Sequence, residues 1–206
     1  MPNPLSRTIP LRHRILFFVP PPPLLAHRIA STTRHERLEH ALMGKPLPPE
    51  RLHVTAIHLG DYPDYPAGTI SRATRAAETV AFTPFEMAFD RVGSFAAGEK
   101  RPLVLTCGQG LADFHAFRNK LRTALRAAGL TDRLRPKITP HMTLLYDRHA
   151  VPEHSIVPIK WTARDFVLVD SLVGMTQHVE LGRWALDEGR FGFANNSSAV
   201  PAPALR

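Results

Sequence analysis

The chain has 206 residues, of which 44% are hydrophobic, with 26 Lys and Arg against 18 Asp and Glu, a net charge of +8 and a pI near 10.4. That length accommodates one sizeable core or two small lobes sharing one, and the excess of cations favours a polyanionic partner such as nucleic acid or a nucleotide. A single cysteine, Cys107, excludes an internal disulfide and a cysteine-based zinc site; the chain reads as an inert buried thiol there. The apolar run 15–19 is too short for a signal peptide and ends in four prolines, and no stretch approaches the roughly 20 apolar residues that span a bilayer. The expectation is a cytoplasmic, monomeric protein without membrane contact.

In chain order, residues 1–10 read as a flexible leader. Arg14 to Val19 predicts a strand apolar on both faces. Leu24 to Met43 carries Leu24, Leu25, Ile29, Leu38 and Leu42 near helical spacing, with Gly44 as a stop. Leu52 to Leu59 predicts a strand, Thr69 to Val80 a second helix, and Phe85 to Val92 and Arg101 to Cys107 two further strands. Leu111 to Ala128 has Leu111, Phe114, Phe117, Leu121 and Leu125 at steps of three and four, an apolar helical stripe belonging to a core. His141 to Tyr146, Trp161 to Val169 and Met175 to Leu181 complete the strands, and 187–206 reads as a disordered tail. Late strands without helices between them predict α+β architecture, with residues 11–186 as one domain. Two lobes, each an antiparallel sheet with helices outside, would face one another across a cleft.

Two of these strands carry the same chemistry. Leu-His-Val-Thr-Ala-Ile-His at 52–58 and Pro-His-Met-Thr-Leu-Leu-Tyr at 140–146 each set a histidine and a threonine either side of one apolar residue, with His53 and His141 standing 88 positions apart. A His-x-Thr triplet is short enough to arise by chance, so context carries the weight. Both copies lie in apolar runs behind loop signals, Pro48-Pro49-Glu50 and Arg135-Pro136. Alternate strand side chains share a face, so His53 with Thr55, and His141 with Thr143, point the same way. On the same rule His58 and Tyr146, each five residues after a motif histidine, point away from it. Two imidazoles able to give or take a proton near neutrality, with hydroxyls beside them, suit attack on phosphorus. No carboxylate occupies either motif, so neither offers a divalent cation a seat, and no cofactor is expected. His13, His27, His35, His40, His115, His149, His154 and His178 show no partner spacing and read as surface or loop residues. Arg183 and Trp184 read as closing the last strand against the core.

These residues resemble the two-histidine (2H) phosphoesterases, and among them the RNA 2′,3′-cyclic phosphodiesterases of the 2′-5′ RNA ligase family. The carriers are Leu-His-Val-Thr at 52–55 running to Leu59-Gly60-Asp61, Thr-Pro-His-Met-Thr-Leu-Leu-Tyr-Asp at 139–147, and Leu-Gly-Arg-Trp-Ala-Leu at 181–186. The resemblance implies a bilobal fold and metal-free opening of 2′,3′-cyclic phosphate ends of RNA or nucleotides to 2′-phosphomonoesters. It casts His53 as the acid toward the ribose oxygen, His141 as the base toward water, and Thr55 and Thr143 as donors to phosphate oxygens. Two positions depart from the family pattern: Tyr146 stands where relatives often have a phosphate-binding arginine, with Arg148 as a substitute, and His58 stands where an aromatic ring often meets the nucleoside. The same site would serve a 2′-5′ RNA ligase or 2′-5′ phosphodiesterase, and a module that binds RNA ends without turnover is the alternative of another class. A zinc hydrolase built on His53, His58 and His141 is disfavoured by the opposite faces expected for His53 and His58.

Overall fold

The computed structural model describes residues 12–187 except 97, 110, 132, 133, 135–137 and 176. The expected leader at 1–10, the tail from 188 onward and the loop signal at Arg135-Pro136 lie outside the described residues. Eight strands and three helices follow in the order β1 (Arg12–Val19), α1 (Pro23–Glu39), β2 (Val54–Tyr62), α2 (Ala67–Glu78), β3 (Phe85–Ser94), β4 (Arg101–Thr106), α3 (Ala112–Ala127), β5 (Met142–Asp147), β6 (His154–Ala163), β7 (Asp165–Val173) and β8 (Gln177–Ala185), with a short 3-10 turn at Pro49–Arg51.

The fold is α+β, and every strand pairing is antiparallel. Where two separate sheets were expected, the strands form one sheet in the order β6-β3-β4-β5-β2-β1-β7-β8. Among the described residues its two halves pair at one position, Val54 opposite Met142. A sheet pinched at one residue pair keeps a two-lobed character, while α3 packs across the waist against both β3 and β2. The core is nonetheless continuous: Phe17, Val54, Phe89, Phe114, Phe117, Met142, Leu144 and Phe166 are fully buried in one cluster. Both motifs thus sit at the waist of the sheet.

Local sequence explains the helices. In α3 the expected stripe is the buried one, with Phe114, Phe117, Leu121 and Leu125 inaccessible. In α1 the face differs from expectation. Ala26, Ile29, Ala30, Thr33 and Glu36 are buried, while Leu24 and Leu38 are 83% and 78% exposed. Small residues at that face let the helix lie close to the sheet, and the helix ends at Glu39, before Met43. Gly44 is not its stop. It passes directly over β5, where its N–H donates to the Asp147 carboxylate (2.5 Å) and a Cβ would overlap the Tyr146 carbonyl.

The stretch expected to be one strand, 161–169, is divided. It breaks at Arg164, giving β6 and β7, and β6 begins earlier, at His154. Pro158 inside β6 obscured it, since proline cannot donate to a ladder. β6 tolerates Pro158 because it is an edge strand and bulges where Phe89 and Arg91 pair with Ile159 and Ser155. Trp184 packs against Phe166 as expected, with ring centroids 5.5 Å apart. Cys107, expected to be buried, is partly accessible just past β4.

Candidate active site

The antiparallel pair at the waist generates a near two-fold relation between the motifs. With Val54 opposite Met142, one further step on either side sets His53 across from Thr143 and Thr55 across from His141. Each histidine immediately precedes its strand and is anchored the same way: His53 Nδ1–H donates to the Arg51 carbonyl (2.7 Å) and His141 Nδ1–H to the Thr139 carbonyl (2.8 Å). A carbonyl only accepts, so both neutral rings carry their proton on Nδ1 and present a bare Nε2. Ring contacts fix the planes: His53 stacks on Phe18 (4.7 Å) and meets His178 edge-on (5.2 Å), and His141 meets Phe95 edge-on (4.9 Å).

A cavity of about 1060 Å³ receives His53, Thr143, Tyr146 and Arg148, and a smaller one of about 110 Å³ receives Thr55, His58, His141 and Arg118. The seven residues singled out in the sequence are therefore divided between two hollows at one waist. Arg148 lies just beyond the end of β5, with its backbone carbonyl accepting from Arg101.

His58 and Tyr146 face the motif side, contrary to the alternation rule. On β1, Phe18, Leu16 and Arg14 alternate on one face and pair with Thr55, His58 and Asp61, so Ala56 and Leu59 are extra residues in β2. On β4, Val104 and Pro102 pair with Thr143 and Tyr146, so Leu144 is extra in β5. Directly paired residues share a face, and each bulge shifts the alternation by one. A bulged residue thus follows three positions after each motif histidine. It brings His58, which is within 2.9 Å of Asp61, and the half-exposed Tyr146 round to the site. The opposite-face argument against a zinc site on His53 and His58 falls with this correction. The buried Arg118 pins the first bulge, its Nε donating to the Ala56 carbonyl (2.9 Å).

His178, expected on the surface, is a wall of the larger cavity. It pairs with Ser171, which pairs with Arg14, so it shares their face. Arg51 Nη2 donates to its Nε2 (3.2 Å), while Arg51 Nε and His178 Nδ1 are buried without a hydrogen-bond partner. Burial, and after it the charges of His53 and Arg51, holds His178 down at about 3. Burial likewise lowers His53 to about 4, the charges of Arg51 and His141 adding to it against the Arg51 carbonyl. The charge of His141 thus reaches the His53 ring. Arg51 itself is lowered by burial. The surroundings are basic, with Arg14, Lys45, Lys100 and Arg148 also lining the cavity. The two nearby carboxylates are committed elsewhere. Arg14 engages Asp61 through two bonds of 2.8 Å and holds it well below the usual carboxylate range. Backbone N–H groups of His149 and Gly44 hold Asp147 at about 2.

Comparison with known proteins bears on this arrangement. A family model described as the 2′-5′ RNA ligase superfamily matches residues 20–173. The chain belongs to that superfamily. Among solved structures, the fold of the chain is similar to that of a phosphoesterase (TM-score 0.67, 24% identity, 85% of this chain and 98% of that one). It is similar also to LigT of E. coli in apo form (0.66, 24%, 86% and 99%), and to TT0787 of Thermus thermophilus (0.66, 19%, 86% and 99%). Comparison with curated proteins gave no match. At these identities the structures establish the fold alone. Within it, Arg51 and His178 are the residues that sequence reasoning missed. Arg51 had one available signal: it stands two positions before His53, as Thr139 does before His141. His178 had none, because only the pairing of β8 with β7 brings it to the cleft. No helix among the described residues is long and apolar enough to cross a membrane.

Proposed function

We propose that this superfamily member hydrolyses 2′,3′-cyclic phosphate ends of RNA or nucleotides to 2′-phosphomonoesters by two-histidine acid–base chemistry. The observation that carries the reading is the matched anchoring of His53 and His141, each with Nδ1–H committed to the carbonyl two residues earlier and Nε2 open. Water attacks phosphorus in line with the ribose 3′ oxygen. His141 Nε2 takes the water proton, the bond from phosphorus to the 3′ oxygen breaks, and His53 Nε2–H protonates that oxygen, leaving a 2′-phosphate and a 3′-hydroxyl. Thr55 and Thr143 donate to the non-bridging oxygens, where charge accumulates. Arg51, Arg148 and Tyr146 contact the phosphate and its neighbours, and His58 the nucleoside. LigT of E. coli has been solved with 3′-AMP, ATP and phosphate, which supports a nucleotide phosphate as the occupant. A cytoplasmic, monomeric enzyme needing no cofactor accords with this reading.

Burial holds His53 at about 4, so its acid role requires a proton taken up with the substrate. The phosphate's negative charge opposes the Arg51 charge and supplies the reason. The superfamily's description favours a second reading on the same residues, a 2′-5′ RNA ligase or 2′-5′ phosphodiesterase, because the proton transfers are reversible. The deciding experiment is product analysis on an oligonucleotide with a 2′,3′-cyclic phosphate end in EDTA. A 2′-phosphate product is expected, with His53→Ala and His141→Ala each slower by about 10²–10⁴-fold. Near-normal turnover in either variant rejects the pair. Turnover confined to a 2′-5′-linked dinucleotide favours the second reading, and binding without any product favours an RNA-end-binding module.

A further inference from the structure

We propose that Glu36, His40 and His154 form a zinc site, separate from the motif histidines. Glu36 and His40 stand four residues apart at the end of α1, and His154 opens β6. Their three ligand atoms all lie within 4.8 Å of one another. His40 Nε2 is 3.5 Å and His154 Nε2 3.3 Å from the same Glu36 oxygen, Oε2.

The two separations from Glu36 Oε2 are longer than a charge-assisted hydrogen bond and close to the edge of a zinc tetrahedron. A charge-assisted bond between imidazolium and carboxylate closes to about 2.7–2.9 Å. Zinc bonds of about 2.0–2.2 Å in a tetrahedron set neighbouring ligand atoms about 3.3 Å apart. Glu36 is only 6% exposed, inside the protein, and its Oε2 has no hydrogen-bond partner. A buried carboxylate in that state needs a cation.

The tautomer of His154 points the same way. Its Nδ1–H donates to the Pro152 carbonyl (3.1 Å), so Nε2, 3.3 Å from Glu36 Oε2, is the ring atom placed to take a metal. A histidine that ligates metal typically donates its other N–H to a backbone carbonyl. Two imidazoles and a carboxylate suit a borderline divalent metal of the zinc type over calcium or magnesium, and three protein ligands leave a fourth position for water. The site ties the end of α1 to the edge strand β6. From α1 the chain runs on to Met43, Gly44 and Leu47, which wall the large cavity, so bound zinc braces that wall.

The test is calorimetric titration of the full chain, stripped of metal by EDTA and desalted, with zinc chloride. One zinc per chain is expected. His40→Ala and His154→Ala, both at partly exposed positions, are expected to lower its affinity at least tenfold while melting like the parent without metal. Cobalt is expected to give the intense visible absorption of four-coordination, lost in both variants. Absence of one-to-one binding overturns the proposal. So does binding that survives both substitutions but disappears in His53→Ala or His178→Asn, which would put the metal in the cleft.

Discussion

His53 and His178 are two imidazoles that burial and the Arg51 guanidinium keep neutral. The unfolded chain binds protons at both near the ordinary histidine value, while the folded chain resists until about 4 and about 3. Their contribution to stability is therefore complete above about pH 6.5 and lost as the pH falls toward those values. Urea unfolding between pH 7.5 and 4.5 should show a steady loss of stability with acidification, and His178→Asn should flatten that slope. An unchanged slope would mean His178 titrates freely. The lowered carboxylates Asp61 and Asp147 add their own loss only further down, below the ordinary carboxylate range. At the same scale, proton uptake accompanies substrate if His53 is the acid. Calorimetry with an unreactive nucleotide phosphate in buffers of different ionisation heat should report close to one proton bound at pH 7. No uptake would reverse the assigned roles of His53 and His141.

At the scale of elements, the bulges at Ala56 and Leu144 decide what the two motifs can reach. Strand alternation held from His53 to Thr55 and from His141 to Thr143, and failed beyond, at His58 and Tyr146. The failure has a cause outside the strands themselves. β2 must match the β1 register on one side, and β5 the β4 register, and each absorbs an extra residue doing so. The same dependence on neighbours put Leu38 on the exposed face of α1 and let Pro158 stay in β6. Gly44 passes so close over β5 that a Cβ there would overlap the Tyr146 carbonyl oxygen. Gly44→Ala must push the chain off the Tyr146 carbonyl, costing about 1–3 kcal/mol. A raised KM is expected with it, as Tyr146 and the Met43–Leu47 wall move. Unchanged melting together with an unchanged KM would show that the strand has room to yield.

For the whole molecule, one sheet pinched at Val54 and Met142 sets two lobes around a basic hollow. Arg14, Lys45, Arg51, Lys100 and Arg148 converge there from β1, the α1–β2 connection, the β3–β4 connection and the end of β5. A single-stranded RNA end laid against three such cations should lose affinity with salt at a log–log slope of about −2, at about 0.7 per phosphate. A mononucleotide should show a slope shallower than −1. Equal slopes would mean the hollow grips only the terminal phosphate.

The chain by itself determined the chemistry on offer and the local elements that carry it. Histidine and threonine one residue apart in an apolar strand, twice over, and the Phe114–Leu125 stripe are local patterns, governed by strand and helix periods. Tertiary structure alone decided that the two halves share one sheet and that bulges turn His58 and Tyr146 inward. It alone brought Arg51 against His178. These depend on which strands become neighbours and in what register, and that is set by burying one continuous core, a property no short stretch of sequence contains.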